Sequence, residues 1–212
     1  MIKLENIEFS YGKKKVLKNV NLEFRKGKMY AILGKSGSGK TTLLSLMSAI
    51  EDIQQGKIIF NGEEIQRQSA TNYRKHIGIV FQSYNLINYM SAIQNVIVAL
   101  DIVKYKSNRK AQAILHLEQL GIKREDMQRP CSQLSGGQQQ RVAIARALAC
   151  DSDIIFADEP TGNLDSVSAK QIISVLQELA QKENKCIICV THDRELASKA
   201  DVVTSLKDGR IV

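Results

Sequence analysis

Residues 34–41, Gly34-Lys35-Ser36-Gly37-Ser38-Gly39-Lys40-Thr41, fit the spacing G-x-x-x-x-G-K-[ST] at every position. No other run limits the fold as much, because such a loop works only between a buried strand and the start of a helix. Both flanks comply. Met29-Tyr30-Ala31-Ile32-Leu33 is apolar throughout, and Leu43, Leu44, Met47 and Ile50 follow at helical spacing. Glycines let backbone N–H groups close around phosphates, and the helix N-terminus adds partial positive charge. Gly34, Lys35, Ser36, Gly37, Ser38, Gly39 and Thr42 are the expected cradle. Lys40 is expected to reach β- and γ-phosphates and Thr41 to ligate Mg²⁺.

The rest of the chain reads as α/β around that loop. Ile2–Phe9 alternates, Tyr11-Gly12-Lys13 turns, and Val16–Phe24 alternates again. Asn61-Gly62 after Lys57-Ile58-Ile59-Phe60 signals a hairpin. These segments predict an N-terminal antiparallel β subdomain. Short apolar runs at 29–33, 77–81, 154–157 and 186–190 predict strands buried on both faces, as in a mostly parallel sheet covered by helices. Ser107 is the expected cap of a helix with Ala111, Ile114, Leu115 and Glu118, which Gly121 ends. Asp165 or Ser166 opens another, with Ile172, Val175, Leu176 and Leu179 on one stripe. Residues from about 83 to 150 carry helix signals and few strand signals. The expectation is one domain over 1–212, with about 1–82 and 151–212 as core and β subdomain and an inserted helical lobe between them.

Composition excludes little. With 212 residues, 43% hydrophobic and 25% charged, the chain is of single-domain size. Its net charge of +8 fits a lysine-rich surface, an anionic ligand, anionic lipid or nucleic acid alike. Met1–Asn6 begins a charged, alternating strand rather than an apolar leader, and no apolar run approaches the ~18 residues of a membrane span. A membrane role is therefore expected to come through a partner. Cys186-Ile187-Ile188-Cys189 has C-x-x-C spacing, but inside a strand residues three apart face opposite ways. The pair reads as small buried hydrophobes.

Two further motifs carry chemistry. Ile154-Ile155-Phe156-Ala157-Asp158-Glu159 is an apolar strand ending in two carboxylates, at the end of the sheet where α/β proteins bind ligands. Strand alternation gives the two acids separate tasks: Asp158 to hold Mg²⁺, Glu159 to orient and polarise an attacking water. Leu134-Ser135-Gly136-Gly137-Gln138 precedes a helix bearing Val142, Ile144, Ala145, Leu148 and Ala149. It reads as an ordinary capping box, and also as a glycine-cleared helix start offered to an anion through the Ser135 hydroxyl and the Gly137 N–H.

With the phosphate loop, the acidic strand end and Leu134–Gln138 between them, the chain resembles the nucleotide-binding subunit of an ABC transporter over essentially its whole length. The resemblance implies the ABC ATPase fold, hydrolysis of ATP to ADP and phosphate with Mg²⁺, and an ATP-induced head-to-tail homodimer. In that dimer Ser135, Gly136, Gly137 and Gln138 complete the partner's site. It implies that Tyr11 stacks on adenine, that Gln82 reaches Mg²⁺ and the water, that Asp165 lies at the dimer seam and that His192 attends the γ-phosphate. His76 and His116 read as structural.

Asp158-Glu159-Pro160-Thr161-Gly162-Asn163-Leu164-Asp165 and Val80–Leu86 are similar to the branch serving lipoprotein release, macrolide export and antimicrobial-peptide export or resistance. The resemblance implies a peripheral subunit on the cytoplasmic face of the membrane, bound to an integral-membrane permease. Tyr84, Leu86, Tyr89 and Met90 are candidate contacts, or core residues. The cell-division ATPase of the same branch is an alternative. A DNA-associated ATPase head is a weaker one, since mid-chain heptads are missing, and no nucleic-acid partner is expected.

Overall fold

The computed structural model describes residues 1–150 and 152–212; Asp151, the expected start of the second core segment, lies outside them. β1 (Ile2–Tyr11) pairs antiparallel with β2 (Lys14–Phe24) through a tight turn at Gly12 and Lys13. Its buried set changes phase, from Ile2 and Leu4 to Ile7 and Phe9, because the ladder slips around Asn6, whose φ is 51°. On its other side β1 pairs with β4 (Gln55–Phe60), which turns at Asn61-Gly62 into β5 (Glu63–Glu64). Both turn residues have positive φ, as a two-residue hairpin requires.

A second sheet runs β10-β9-β3-β8-β7-β6. β3 (Lys28–Leu33), β6 (Ile77–Val80), β7 (Ile154–Asp158), β8 (Cys186–Thr191) and β9 (Val202–Lys207) are mutually parallel, and β10 (Arg210–Ile211) closes the edge antiparallel to β9. Alternation splits these strands between two cores. Met29, Ala31, Ile155, Ala157, Ile187 and Cys189 face the helices α3 (Ala92–Ile102), α4 (Arg109–Gln119), α6 (Gly136–Leu148) and α7 (Ser166–Gln181). Tyr30, Ile32, Ile154, Phe156, Cys186 and Ile188 face α1 (Lys40–Met47), α2 (Ala70–Tyr73) and the four-stranded sheet. Two short helices, α5 (Arg124–Met127) and α8 (Arg194–Ser198), complete the first layer. Cys186 and Cys189 thus point into different cores, and burial pushes both thiols up to about 12.

The helical segment does not own a separate core. Helix α6 lies on β6 so closely that a Cβ on Gly78 would meet the Ala147 carbonyl at 2.7 Å. The loop before α3 is held from inside by Asn95, whose Oδ1 accepts from Ile87 N at 2.8 Å and whose Nδ2 donates to Ile87 O at 3.1 Å.

Three expectations shift. The cap of α4 is Asn108, whose side chain accepts from Ala111 N at 3.0 Å, rather than Ser107. The buried face of α4 is Ala113 and Leu117, while Leu115 is 47% exposed. An eleven-residue helix with few apolar positions fits two phases, and packing against α3 and α6 selects one. Helix α1 stops at Met47, and Ala49 turns left-handed at φ 54°, which leaves Ile50 exposed instead of on the helical stripe.

Candidate active site

The carboxyl ends of β3, β6, β7 and β8 open onto a cavity of about 830 Å³. Tyr11, Lys35, Ser36, Gly37, Gly39, Lys40, Thr41, Thr42, Gln82, Asp158, Glu159 and His192 all line it. Gly34 and Ser38 stand immediately behind. A Cβ on Gly34 would lie 2.4 Å from Ser38 Oγ and 2.7 Å from the Leu206 carbonyl, so only glycine fits there. Gly37 and Gly39, at φ 78° and 104°, take conformations that glycine adopts without strain. Ser38 Oγ is buried and has no hydrogen-bond partner among the described residues. A glycine-lined bend in which a Cβ has no room at Gly34, ending on the N-terminus of α1, suits a phosphate, which offers acceptors to the backbone N–H groups.

Lys40 is 8% exposed and donates to the Gly34 carbonyl at 2.8 Å. Its ammonium also stands 3.5 Å from Glu159 Oε1. Thr41 Oγ1 donates to Asp158 Oδ2 at 3.2 Å. Burial raises the Asp158 carboxyl, as does neighbouring Glu159, against the lowering effect of Thr41 and Lys40. Glu159 behaves in the opposite way. Burial alone would raise it, but hydrogen bonds from the His192 ring, the Thr191 hydroxyl and the His192 N–H bring it below the usual carboxylate range.

The two acids differ for a reason that strand alternation does not supply. Asp158 is the last residue of β7, whereas Glu159 has left the strand and sits at φ 46°. That left-handed turn carries its side chain across to β8. There Glu159 Oε2 accepts from Thr191 Oγ1 at 2.9 Å and His192 N at 3.2 Å, and Oε1 lies 3.0 Å from His192 Nδ1.

Tyr11, at the rim, is 54% exposed and meets Phe9 edge-on at 4.9 Å. Gln82 follows β6, and its carbonyl accepts from Asn163 Nδ2 at 2.8 Å. Lys14, Lys15, Lys18 and Asp208 also line the cavity and were invisible to motif reading. The signal available for the first two was the basic run Lys13-Lys14-Lys15 beside Tyr11.

Ser135, Gly136, Gly137, Gln138 and Asp165 do not line this cavity. Ser135 caps α6: its Oγ accepts from Gln138 N at 3.3 Å while Gln138 Oε1 accepts from Ser135 N at 2.9 Å. The hydroxyl proton of Ser135 remains free to donate. The Gln138 amide is committed at both ends, since its Nε2 donates to Asp126 Oδ2 at 2.8 Å. Asp165 caps α7 through Val167 N, Ser168 N and Ser168 Oγ, and these bonds lower its carboxyl. The two caps are neighbours, because a Cβ on Gly137 would meet Ser168 Oγ at 2.9 Å.

Of the expected coupling contacts, Tyr84 and Leu86 pack partly against the helical core, while Tyr89 is 80% exposed. Arg146 holds the segment by donating to the Asn85 and Tyr84 carbonyls.

A parallel sheet that ends on a glycine cradle and a helix N-terminus defines a phosphate-loop nucleotide-binding protein. Comparison with known proteins narrows the class. The family model described as "ABC transporter" matches residues 17–162. The uncharacterized ABC transporter ATP-binding protein YclH of Bacillus subtilis is 42% identical, over 99% of this chain and 94% of its own length. The lipoprotein-releasing system ATP-binding protein LolD of Francisella tularensis is 39% identical, over 92% of this chain and 87% of its own. The macrolide export ATP-binding/permease protein MacB of Pasteurella multocida is 41% identical over the whole chain, which spans 34% of MacB's length. Among solved structures, a dimeric, post-hydrolysis state of the ATP-binding cassette MJ0796 with ADP and Pi superposes with a TM-score of 0.88 at 36% identity, covering 100% of this chain and 96% of that one. The chain belongs to the ABC transporter ATP-binding family, and it is an ATP-binding, ATP-hydrolysing domain of that family. No helix among the described residues is long and apolar enough to cross a membrane.

Proposed function

We propose that this chain powers an integral-membrane permease in export of, or resistance to, peptides, lipoproteins or hydrophobic drugs, acting as a peripheral subunit on the cytoplasmic face. The names of LolD and MacB support that branch. The chain works as one domain over 1–212, with residues from about 83 to 150 as its signature lobe.

The observation that carries the mechanism is the convergence of Lys40, Thr41, Asp158, Glu159 and His192 on one cavity. Tyr11 stacks on adenine at the rim. The glycine cradle and Lys40 hold the phosphates. Thr41, Asp158 and Gln82 are the donor set for Mg²⁺. Among the described residues no three His, Cys, Asp or Glu side chains cluster as a metal site. One carboxylate with hydroxyl and amide oxygens is the sparse set that suits a magnesium carried largely by phosphate oxygens and water. When bound, the ion supplies neutralisation of charge across the β- and γ-phosphoryl oxygens. Glu159 is the base that orients and polarises the attacking water, and His192 spans Glu159 and the γ-phosphate position.

The signature lies outside its own cavity, and the structural neighbours include dimeric cassettes. Two copies therefore pair head to tail, so that Ser135, Gly136 and Gly137 face the partner's γ-phosphate and Asp165 lies at the seam. Gln138 serves by bracing Ser135. Glu159→Gln is expected to lower kcat at least about a hundredfold, the range for removing a general base, and to retain ATP-bound dimers on gel filtration. Wild-type turnover in that variant would remove Glu159 from the role.

A further inference from the structure

Glu159 presents two oxygens to two different surroundings. Oε1 faces the cavity side, 3.5 Å from Lys40 Nζ and 3.0 Å from His192 Nδ1. Oε2 is turned inward, onto Thr191 Oγ1 at 2.9 Å and His192 N at 3.2 Å. Thr191 ends the central strand β8 and is fully buried. Its hydroxyl has one proton to give, and that proton goes to Glu159. As an acceptor the same oxygen takes the Asp193 N–H at 3.0 Å. Asp193 is itself fixed, by Thr161 Oγ1 at 2.9 Å and by capping α8 through Glu195 N at 2.8 Å. A continuous hydrogen-bonded chain thus runs from the cap of α8 through Thr191 to a carboxylate that stands at a left-handed backbone position.

We propose that Thr191 is a positioning residue for hydrolysis: its hydroxyl anchors Glu159 Oε2 and thereby leaves Oε1 as the single oxygen available to the attacking water. The proposal rests on Glu159 being the base. An unanchored carboxylate can rotate and exchange its oxygens, so the fraction of bound ATP that meets a correctly aimed base falls, while the phosphate cradle is untouched. The consequence belongs to kcat rather than KM.

The test is a series at one position, Thr191→Ser, Thr191→Cys and Thr191→Val, assayed for ATP turnover and for nucleotide binding by the purified chain. Thr191→Val keeps shape and removes the donor. It is expected to lower kcat about tenfold, the factor one hydrogen bond to a charged group is worth, with KM for ATP and nucleotide affinity held within about twofold. Thr191→Ser restores the donor and is expected to restore kcat. Thr191→Cys, a weak donor, falls between and carries the comparison should valine prevent folding. An unchanged kcat in Thr191→Val and Thr191→Cys overturns the proposal. So does a fall in kcat matched by lost nucleotide affinity, or failure of serine to restore the rate. Glu159→Gln measured alongside separates the two claims: if it turns over normally the base assignment fails, and if it is inactive while the Thr191 series is flat only the anchoring fails.

Discussion

At Glu159 the backbone turns left-handed, at a cost on the order of 1 kcal/mol for a residue with a Cβ. The strain is sustained by the side chain, which trades water for Thr191, His192 and the Lys40 ammonium. The two acids consequently titrate in opposite senses. Asp158 is held above its ordinary value by burial, so ionising it costs stability, and that cost is relieved as pH falls. Glu159 is held below its ordinary value, so its contribution is present above the unfolded carboxylate pKa and is lost as pH falls through the folded one. In thermal unfolding curves taken below about pH 5, the wild type should lose ground to Glu159→Gln as acid is added. Parallel curves would contradict the hydrogen-bonded account of Glu159. Adjacent Asp158 and Glu159 were legible as a pair in the sequence. The partners that set them apart lie 32 and 33 residues away on another strand, beyond any local pattern.

At the scale of elements, helix ends were readable and helix faces less so. Ser135-x-x-Gln138 is a cap as the sequence indicates, and of the two candidates Asp165 and Ser166 it is Asp165 that caps α7, because a cap is a short-range bond between a side chain and the next turn. Helix α4 was read one residue early at its start and on the wrong face at Leu115, because a weakly apolar helix takes its phase from what it packs against. One close packing that sequence did not flag is Gly78 on Ala147, which seats helix α6 on strand β6. Gly78→Ala should push α6 off the sheet and lower unfolding stability by about 1–3 kcal/mol, the usual cost of overpacking, measurable in urea. Neutral behaviour would mean that α6 slides without loss, and that the cap at Ser135 is not rigidly placed.

At the scale of the whole molecule, the cavity and the caps at Ser135 and Asp165 stand apart on one chain, which the proposed head-to-tail pairing turns into two half-sites. The cavity gathers the cradle, the acids and His192; Ser135 and Asp165 sit together elsewhere, around Gly137 and Ser168. Mixed dimers put this separation to use. On the proposed pairing, Ser135→Arg spoils only the half-site given to a partner, and Lys40→Ala only the half-site kept. Each variant alone should be inactive. An equal mixture should regain on the order of a quarter of wild-type turnover, since half of the dimers are mixed and each holds one complete site. A mixture as inactive as its parents would rule out the shared-site arrangement.

The chain's order of residues determined by itself what depends on neighbours along the backbone. That includes the phosphate loop between strand and helix, the hairpin at Asn61-Gly62, the buried parallel strands, the caps and the family likeness. Tertiary structure alone decided that Lys14, Lys15 and Lys18 also border the cavity, which oxygen of Glu159 is tied to Thr191, and that Gln82 and Asn163, 81 residues apart, share a bond. The physical reason is reach. Caps, turns and periodic faces are set by contacts within a few residues, whereas a carboxylate's protonation and aim are set by whichever groups the crossovers of the sheet bring within hydrogen-bond distance.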